Sequence, residues 1–342
     1  MKEVETYTAK QTGNIMLNAN ELYQDVSVSI KKEIMEELMQ VPFHRYPDER
    51  NQALIEAYSK VINIPCENIM AGNGSDEMLG LMIGYFLGKD KTLYTLTPDF
   101  SMYDYYTSMQ EANILKFECE EDGSFNILDF IEHGRRNNVH MILFSNPNNP
   151  TGHYLDNASL KEIVEAFPTI PVIIDEAYSE FAKESLVSYI EQYPNLYVTR
   201  TLSKAYGLAG VRLGFLMGNS TNMKKLRTKG VPYNISSIDQ KIGEVVLRYV
   251  QDYQETLKET IAQRDAFYEK VKTLKHVTFY PSQANYVYGR SKHKEALLKT
   301  LEDAGIIIRT YANDTFRVTI GSKEENAQVL QLLMAFDKEV IA

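Results

Sequence analysis

The sequence predicts an α/β protein: a mostly parallel sheet sandwiched by helices, with a smaller α+β domain. Three observations predict it. Short apolar runs recur between residues 92 and 217, with turn residues or helical patterns between them. That alternation builds parallel sheets covered on both faces. After Pro232 the pattern changes to a long helical stretch and then strands and helices in mixed order. A chain of 342 residues with 44% apolar content has enough material for one large domain or two ordinary ones. The expected division is a large domain over residues 30–230 and a small domain made of 1–29 and 231–342.

The elements follow in order. Asp25 to Gln40 has the periodicity of an amphipathic helix, and Asn51 to Ile62 predicts another that Pro65 closes. Ser75 to Leu87 predicts a helix opening directly after Gly72-Asn-Gly74. Strands are expected at Thr92–Leu96, Ile114–Phe117, His140–Phe144, Val172–Ile174, Leu196–Thr199 and Leu213–Met217. Helices fill several of the gaps, for example Leu160–Phe167. Ile238 to Leu274 predicts one long helix, free to bend, with Gly243 inside it and no proline. Strands Val277–Tyr280 and Tyr286–Tyr288, a helix near Lys294–Ala304, strands Ile306–Arg309 and Phe316–Ile320, and a helix near Glu324–Phe336 complete the chain.

Composition excludes several classes of function. A net charge of −10 opposes a nucleic-acid or anionic-membrane partner, because both need a basic face. No apolar run reaches the roughly 18 residues of a membrane span, and Met1 to Tyr7 lacks the apolar stretch of a secretory signal. Cys66 and Cys119 are the only cysteines and form no CxxC, so neither a disulfide framework nor a zinc site is expected. The expectation is a soluble cytoplasmic protein without a metal.

Four segments carry chemistry. Arg200-Thr-Leu-Ser-Lys-Ala-Tyr-Gly-Leu-Ala-Gly-Val-Arg212 sets Lys204 between the hydroxyls of Thr201 and Ser203 and a glycine-rich stretch ending in Arg212. A lysine amine condenses with aldehydes, while hydroxyls, amides and arginine suit a phosphate dianion. An aldehyde and a phosphate on one molecule describe pyridoxal 5′-phosphate. Alone, this segment reads better as an ordinary loop with a solvated lysine; three further segments turn the reading towards a site. The second, Ala71-Gly-Asn-Gly-Ser-Asp-Glu77, places amides of Gly74, Ser75 and Asp76 at a positive helix terminus, an anion site. Like charge keeps the Asp76 carboxylate off a phosphate, so its side chain is expected to cap the helix. A plain helix cap is the competing reading.

The third, Pro171-Val-Ile-Ile-Asp-Glu-Ala-Tyr178, puts Asp175 at the carboxyl end of a strand, where parallel sheets bind ligands. A carboxylate there pairs with a pyridine nitrogen, and Tyr178 can reach the phenolic oxygen of the same ring. The strand also looks like the metal-holding strand of a P-loop ATPase, which requires GxxxxGK[ST] upstream. Gly84-Tyr-Phe-Leu-Gly-Lys-Asp90 is one residue short and lacks the hydroxyl. The fourth, Ser145-Asn-Pro-Asn-Asn-Pro-Thr-Gly152, makes a rigid turn after a strand whose amides, Asn149 among them, can donate to a ligand.

In this order the four segments resemble the fold type I pyridoxal-phosphate-dependent aminotransferases, and among them the histidinol-phosphate aminotransferase family. Leu17-Asn-Ala-Asn-Glu21, Arg45-Tyr-Pro-Asp48, Gly74-Ser-Asp-Glu77, Gly305-Ile-Ile-Ile-Arg309 and Phe316-Arg-Val-Thr-Ile-Gly321 are similar to that family's motifs. The resemblance spans essentially the whole chain. It implies pyridoxal 5′-phosphate as cofactor, with Lys204 as its Schiff-base lysine and proton shuttle. It implies Asp175 on the ring nitrogen, Tyr178 and Asn149 on the ring oxygen, and Phe100 stacked on the ring. Gly74, Ser75, Asp76, Thr201, Ser203 and Arg212 are implied to hold the phosphate. Tyr46 is implied to reach the phosphate of the other subunit, in a homodimer with composite sites.

For the substrate, the resemblance implies Arg317 on an α-carboxylate and Arg309 on the phosphate of histidinol phosphate, with Asn20 beside them. It further implies a ping-pong transamination between a small-molecule amino donor and a 2-oxo acid, histidinol phosphate with 2-oxoglutarate, in histidine biosynthesis. An aromatic amino-acid aminotransferase shares the chemistry, and a decarboxylase of a phosphorylated amino acid shares much of the wording. A cofactor-sensing transcription regulator would need a DNA-binding domain that the roughly 25 residues before the first helix leave no room for. The chain departs from the family at Leu22-Tyr23-Gln24, where a proline and often a glycine stand, which puts the substrate rather than the cofactor in question.

Overall fold

The computed structural model describes residues 13–339; residues 1–12 and 340–342 of the expected small domain lie outside them. A short strand β1 (Ile15–Leu17) leads to helices α1 (Val28–Leu38) and α2 (Gln52–Ile62). Strand β2 (Ile69–Asn73) runs straight into α3 (Gly74–Phe86). There follow β3 (Thr92–Thr97), α4 (Met102–Met109), β4 (Asn113–Glu118), α5 (Ile127–Arg136), β5 (Met141–Ser145), α6 (Asn157–Ala166) and β6 (Val172–Asp175). Next come β7 (Leu196–Thr201), β8 (Leu213–Gly218), α7 (Ser220–Arg227), α8 (Ser237–Arg248) and α9 (Val250–Val271). The chain closes with β9 (Thr278–Tyr280), β10 (Tyr286–Arg290), α10 (Lys294–Asp303), β11 (Ile306–Thr310), β12 (Thr315–Thr319) and α11 (Lys323–Glu339).

The large sheet has seven strands in the order β2-β8-β7-β6-β5-β3-β4. From β7 to β4 every pair is parallel, and β8 is antiparallel to both its neighbours. Successive residues of the central strands feed opposite faces. Ile142, Phe144, Ile174 and Val198 join a cluster with residues of α1, α2, α5, α6 and α8. Met141, Leu143, Ile173 and Tyr197 join another with residues of α3, α4 and α7. Burial on both faces explains the near-continuous apolar runs of these strands. The second sheet, β1-β11-β12-β10-β9, is antiparallel apart from the β1–β11 pair. It packs on α9, α10 and α11 through Phe267, Val271, Leu297, Leu301 and Leu333.

The expected long helix over 238–274 is two helices. The chain turns at Tyr249 (φ −109°, ψ 27°), not at Gly243. Gly243 sits inside α8, where a Cβ would come within 2.5 Å of Leu213 and 2.7 Å of Leu54. Its role is close packing of helix on sheet. Helix starts use side-chain caps where the sequence offers them: Ser27, Asn126, Asp156 and Ser236 each accept a backbone N–H of the turn they open.

Candidate active site

Helix α3 opens on the anion cradle. Gly74 has φ +77°, a conformation that side chains rarely adopt, and a Cβ there would come within 2.6 Å of the Arg212 guanidinium. On the neighbouring strand a Cβ at Gly214 would come within 2.1 Å of the Ser75 amide nitrogen. The two glycines let β8 and the first turn of α3 approach closely. The expected capping role of Asp76 is not what the structure has. Its carboxylate accepts from Arg212 Nη2 at 2.8 Å, while Glu77 accepts the Asn73 N–H. Arg212 Nη1 also donates to Ser203 Oγ at 3.3 Å, and the Ser203 amide donates to Thr201 Oγ1 at 3.1 Å. Asp76 therefore aims Arg212, and the cradle gathers the amides, two hydroxyls and a guanidinium that a phosphate needs.

These groups line a cavity of about 620 Å³ together with Asn20, Phe100, Asn149, Asp175, Tyr178, Lys204 and Arg317. Lys204 Nζ donates to the Ala19 carbonyl at 2.8 Å. Burial, then the positive charge of Arg317, brings its amine down to about 8 from an ordinary 10.5. Asp175 stands at the carboxyl end of β6, and burial lifts its carboxyl to about 6 against the pull of hydroxyl donors from Tyr103 and Thr199. Tyr178 accepts from the Asn20 amide at 2.8 Å. Asn20 is held in turn through Thr319 and Asn285. Arg317 donates to Asn149 Oδ1 and, at 3.0 Å, to the Asn18 carbonyl.

Three expected site residues do not line this cavity: Gly74, which opens α3 beside it, and two that lie further off. Arg309 lines an adjoining one of about 800 Å³ that shares Phe100, Asn149 and Arg317 with the first. Tyr46 is 82% exposed and stacks on Tyr233. The segment Leu22-Tyr23-Gln24, which departs from the family, is held to α9: the Tyr23 hydroxyl donates to Glu259 at 2.9 Å, and Gln24 accepts from Thr256 at 2.7 Å.

Sequence reasoning missed Tyr103, Thr199, Ser145 and the Ala19 carbonyl. Ser145 Oγ accepts the Asn149 amide at 2.8 Å and itself donates to Asp99, which fixes the turn that carries Asn149. Glu176 turns to the opposite face from Asp175 and pairs with Arg200 at 2.8 Å and 3.0 Å. Among the described residues no cluster of histidine, cysteine, aspartate and glutamate could hold a metal, and no helix is long and apolar enough to cross a membrane.

Residues 12–333 match the family described as aminotransferase class I and II. The chain belongs to that family. A histidinol-phosphate aminotransferase of Clostridium novyi is 35% identical over 338 residues, covering 97% of this chain and 95% of the relative. One from Clostridium kluyveri is 36% identical over 323 residues, covering 93% and 92%. The crystal structure of the histidinol-phosphate aminotransferase from Sinorhizobium meliloti, solved with pyridoxal 5′-phosphate, has a TM-score of 0.87 at 20% identity and covers 96% of this chain and 92% of that one. For a class I and II aminotransferase, the donor set fits pyridoxal 5′-phosphate: a phosphate cradle, a buried carboxylate, a tyrosine and a lysine of lowered basicity surround one space. The cradle is kept open by two glycines where any side chain would intrude.

Proposed function

We propose that this aminotransferase uses pyridoxal 5′-phosphate to move the amino group of histidinol phosphate to 2-oxoglutarate, a step of histidine biosynthesis. One observation carries the reading: Lys204, Asp175, Tyr178 and Arg212 face a single cavity in a chain that is 35% identical, over nearly its full length, to a relative named for that substrate. Gly74 and Ser75 amides, Thr201, Ser203 and Arg212 hold the phosphate, and Asp76 acts through Arg212. Asp175 holds the ring nitrogen, Tyr178 and Asn149 hold the ring oxygen, and Phe100 covers a ring face. When bound, the cofactor supplies an aldehyde that condenses with amines and a ring that takes up electron density as the substrate α-proton departs. Lys204 Nζ moves that proton, and the Ala19 carbonyl steadies it in the cavity. Arg317 receives a substrate carboxylate, and Arg309 in the adjoining cavity receives the phosphate of the donor.

The test is kcat/KM for histidinol phosphate, phenylalanine and tyrosine, in wild type and Arg309→Ala. The variant is expected to lose roughly tenfold to hundredfold on histidinol phosphate, the worth of a charged hydrogen-bond pair, and far less on phenylalanine. A wild type that ignores histidinol phosphate while turning over phenylalanine makes the enzyme an aromatic aminotransferase. Release of carbon dioxide from a phosphorylated amino acid makes it a decarboxylase.

The lowered Lys204 pKa has its own signature. The amine attacks an aldehyde only when neutral, and a lower pKa makes it neutral at lower pH. Uptake of pyridoxal 5′-phosphate by the apoprotein, followed as the rise of visible absorption, is expected to quicken up to a pH of about 8 and then level off. Arg317→Met removes the second cause of the shift and should move that plateau upward. A rate still climbing steeply near pH 10, about where an ordinary lysine titrates, would contradict the assignment.

The working unit in this reading is a homodimer in the cytoplasm. Met39, Phe43, Tyr46, Val231 and Tyr233 expose apolar side chains over one stretch and its neighbour in space, a surface suited to a second copy. Tyr46 then serves the partner's phosphate cradle. Mixing Tyr46→Phe subunits with Lys204→Ala subunits should restore activity that neither homodimer has, because one site per heterodimer regains both groups. A fully active monomer at assay concentration would refute this. Cys66 and Cys119 are unpaired, in keeping with a reducing compartment.

A further inference from the structure

Asp175 is the buried carboxylate of the site, and two neutral hydroxyls meet it. Tyr103, on α4, is 1% exposed, and its hydroxyl donates to Asp175 Oδ2 at 2.8 Å. Thr199, on β7 in register with Asp175, is fully buried and donates to Oδ1 at 3.0 Å. The two donors reach the carboxylate from different elements, one from the helix that covers the sheet and one from the adjacent strand. A carboxylate has about four lone-pair positions; the hydroxyls take two and the Ala177 backbone N–H approaches a third, so capacity for a ligand donor remains. With each oxygen tied once, the carboxyl plane cannot rotate about its own bond. Asp175 lines the cavity, so a ligand there can reach the carboxylate.

The chemistry of the donors matters as much as their placement. An arginine or lysine on Asp175 would orient it equally well but would neutralise its charge. Hydroxyls stabilise the anion by hydrogen bonding and leave its full charge directed at whatever else faces it. The second carboxylate of the pair, Glu176, shows the contrast. It lies on the other face and takes the Arg200 guanidinium in a two-bond clasp. Two consecutive acids at one strand end thus receive opposite treatment: one is neutralised as part of the core, the other is oriented and kept charged.

We propose that Tyr103 and Thr199 are paired positioning residues that hold Asp175 in the one orientation and charge state that grips a protonated ring nitrogen of the cofactor. This rests on the assignment of Asp175 to that nitrogen. The clamp acts only through the Asp175–nitrogen bond, so its loss must weaken ligands that carry the nitrogen and spare an analogue that lacks it.

The experiment measures dissociation constants of the apoprotein for pyridoxal 5′-phosphate and for its 1-deaza analogue, in which carbon replaces the ring nitrogen. Wild type, Tyr103→Phe and Thr199→Val are compared. Both substitutions keep the shape of the side chain and remove only the donor, and thermal unfolding of each apoprotein reports its folding separately. The wild type is expected to prefer pyridoxal 5′-phosphate strongly. Each variant is expected to lose roughly tenfold to hundredfold in affinity for it, the effect of one hydrogen bond to a charged group, with the affinity for the deaza analogue almost unchanged. A variant that binds both ligands as the wild type does, or that weakens both equally, overturns the clamp while leaving the assignment of Asp175 intact. A wild type that does not distinguish the two ligands overturns the assignment of Asp175 and the clamp with it. If one variant fails to fold, the other decides, because the two donors stand on separate elements.

Discussion

Lys204→Ala is expected to lose turnover and visible absorption of the cofactor-loaded protein together. In the proposed function the side chain does two things in one cavity. Among the described residues it is the only lysine lining that cavity, so no second amine there can take over the covalent link to the aldehyde. In the proposed reading its amine also carries the proton of the substrate α-carbon, and removing a positioned general base alone costs typically 10²–10⁴-fold. Cofactor binding should weaken without vanishing, because Gly74, Ser75, Thr201, Ser203 and Arg212 keep the phosphate cradle intact. Steady-state assays and an absorption spectrum of the variant soaked in pyridoxal 5′-phosphate check the claim. Partial rescue by a small free amine would single out the proton-transfer role. A variant that retains the visible band, or more than about 1% of wild-type kcat, would remove Lys204 from the mechanism.

Arg200→Met is expected to destabilise the fold far more than the loss of an exposed ion pair does. Arg200 and Glu176 side chains are 11% and 2% exposed, and their oxygen–nitrogen separation is 2.8 Å. Glu176 further accepts from Ser185 Oγ at 2.6 Å and from the Leu186 amide at 3.0 Å. Removing the guanidinium leaves a carboxylate sealed in the core with neutral donors alone, a loss of about 3–5 kcal/mol. Changing Glu176 to Gln in the same protein removes the charge that was directly paired, with Glu180 still near the gap, and should recover part of that loss. Denaturant unfolding of the apoproteins measures both. A cost below about 1 kcal/mol for Arg200→Met, the range of an exposed ion pair, would mean that water reaches the pair.

The central strands were legible because burial on both faces demands apolar residues at consecutive positions, as in Ile142-Leu143-Phe144. Strand β2 was not: Ile69-Met-Ala-Gly-Asn73 is short, and its apolar run gives way to alanine and glycine before α3 begins. Helix α4 escaped because Met102 to Met109 holds three tyrosines and an aspartate with no apolar stripe, and its tyrosines serve polar contacts as well as packing. The break at Tyr249 has no proline or glycine to announce it. In the site, residues whose chemistry is unusual for a loop or a strand end, such as Lys204, Asp175 and Arg212, could be picked out one by one. Tyr103 and Thr199 could not. A tyrosine 72 positions from its aspartate and a threonine on a neighbouring strand look like ordinary core residues until the chain is folded. Asp76 was legible as a neighbour of the cradle, but its partner Arg212 stands 136 positions away, so the local reading as a cap missed its ion pair.

The order of strands in the large sheet has a consequence for assembly. Strand β2 is made first among the seven, yet among the described residues β8 is its only neighbour in the sheet, with Ile69 to Asn73 paired against Met217 to Leu213. The glycine turn that begins α3 therefore has no strand to lean on until a stretch some 140 residues further along has been synthesised and inserted between it and β7. Such a distant pairing carries a large loop-closure cost and forms late. Because β8 also follows directly on the loop of Lys204 and Arg212, the proposed phosphate cradle and the lysine proposed to react come into being in the same event. A fragment ending at Arg212 would have every residue of the lysine motif and no place for the ligand. The cofactor thus meets either an unformed chain or a complete socket, and its capture reports that the sheet has closed.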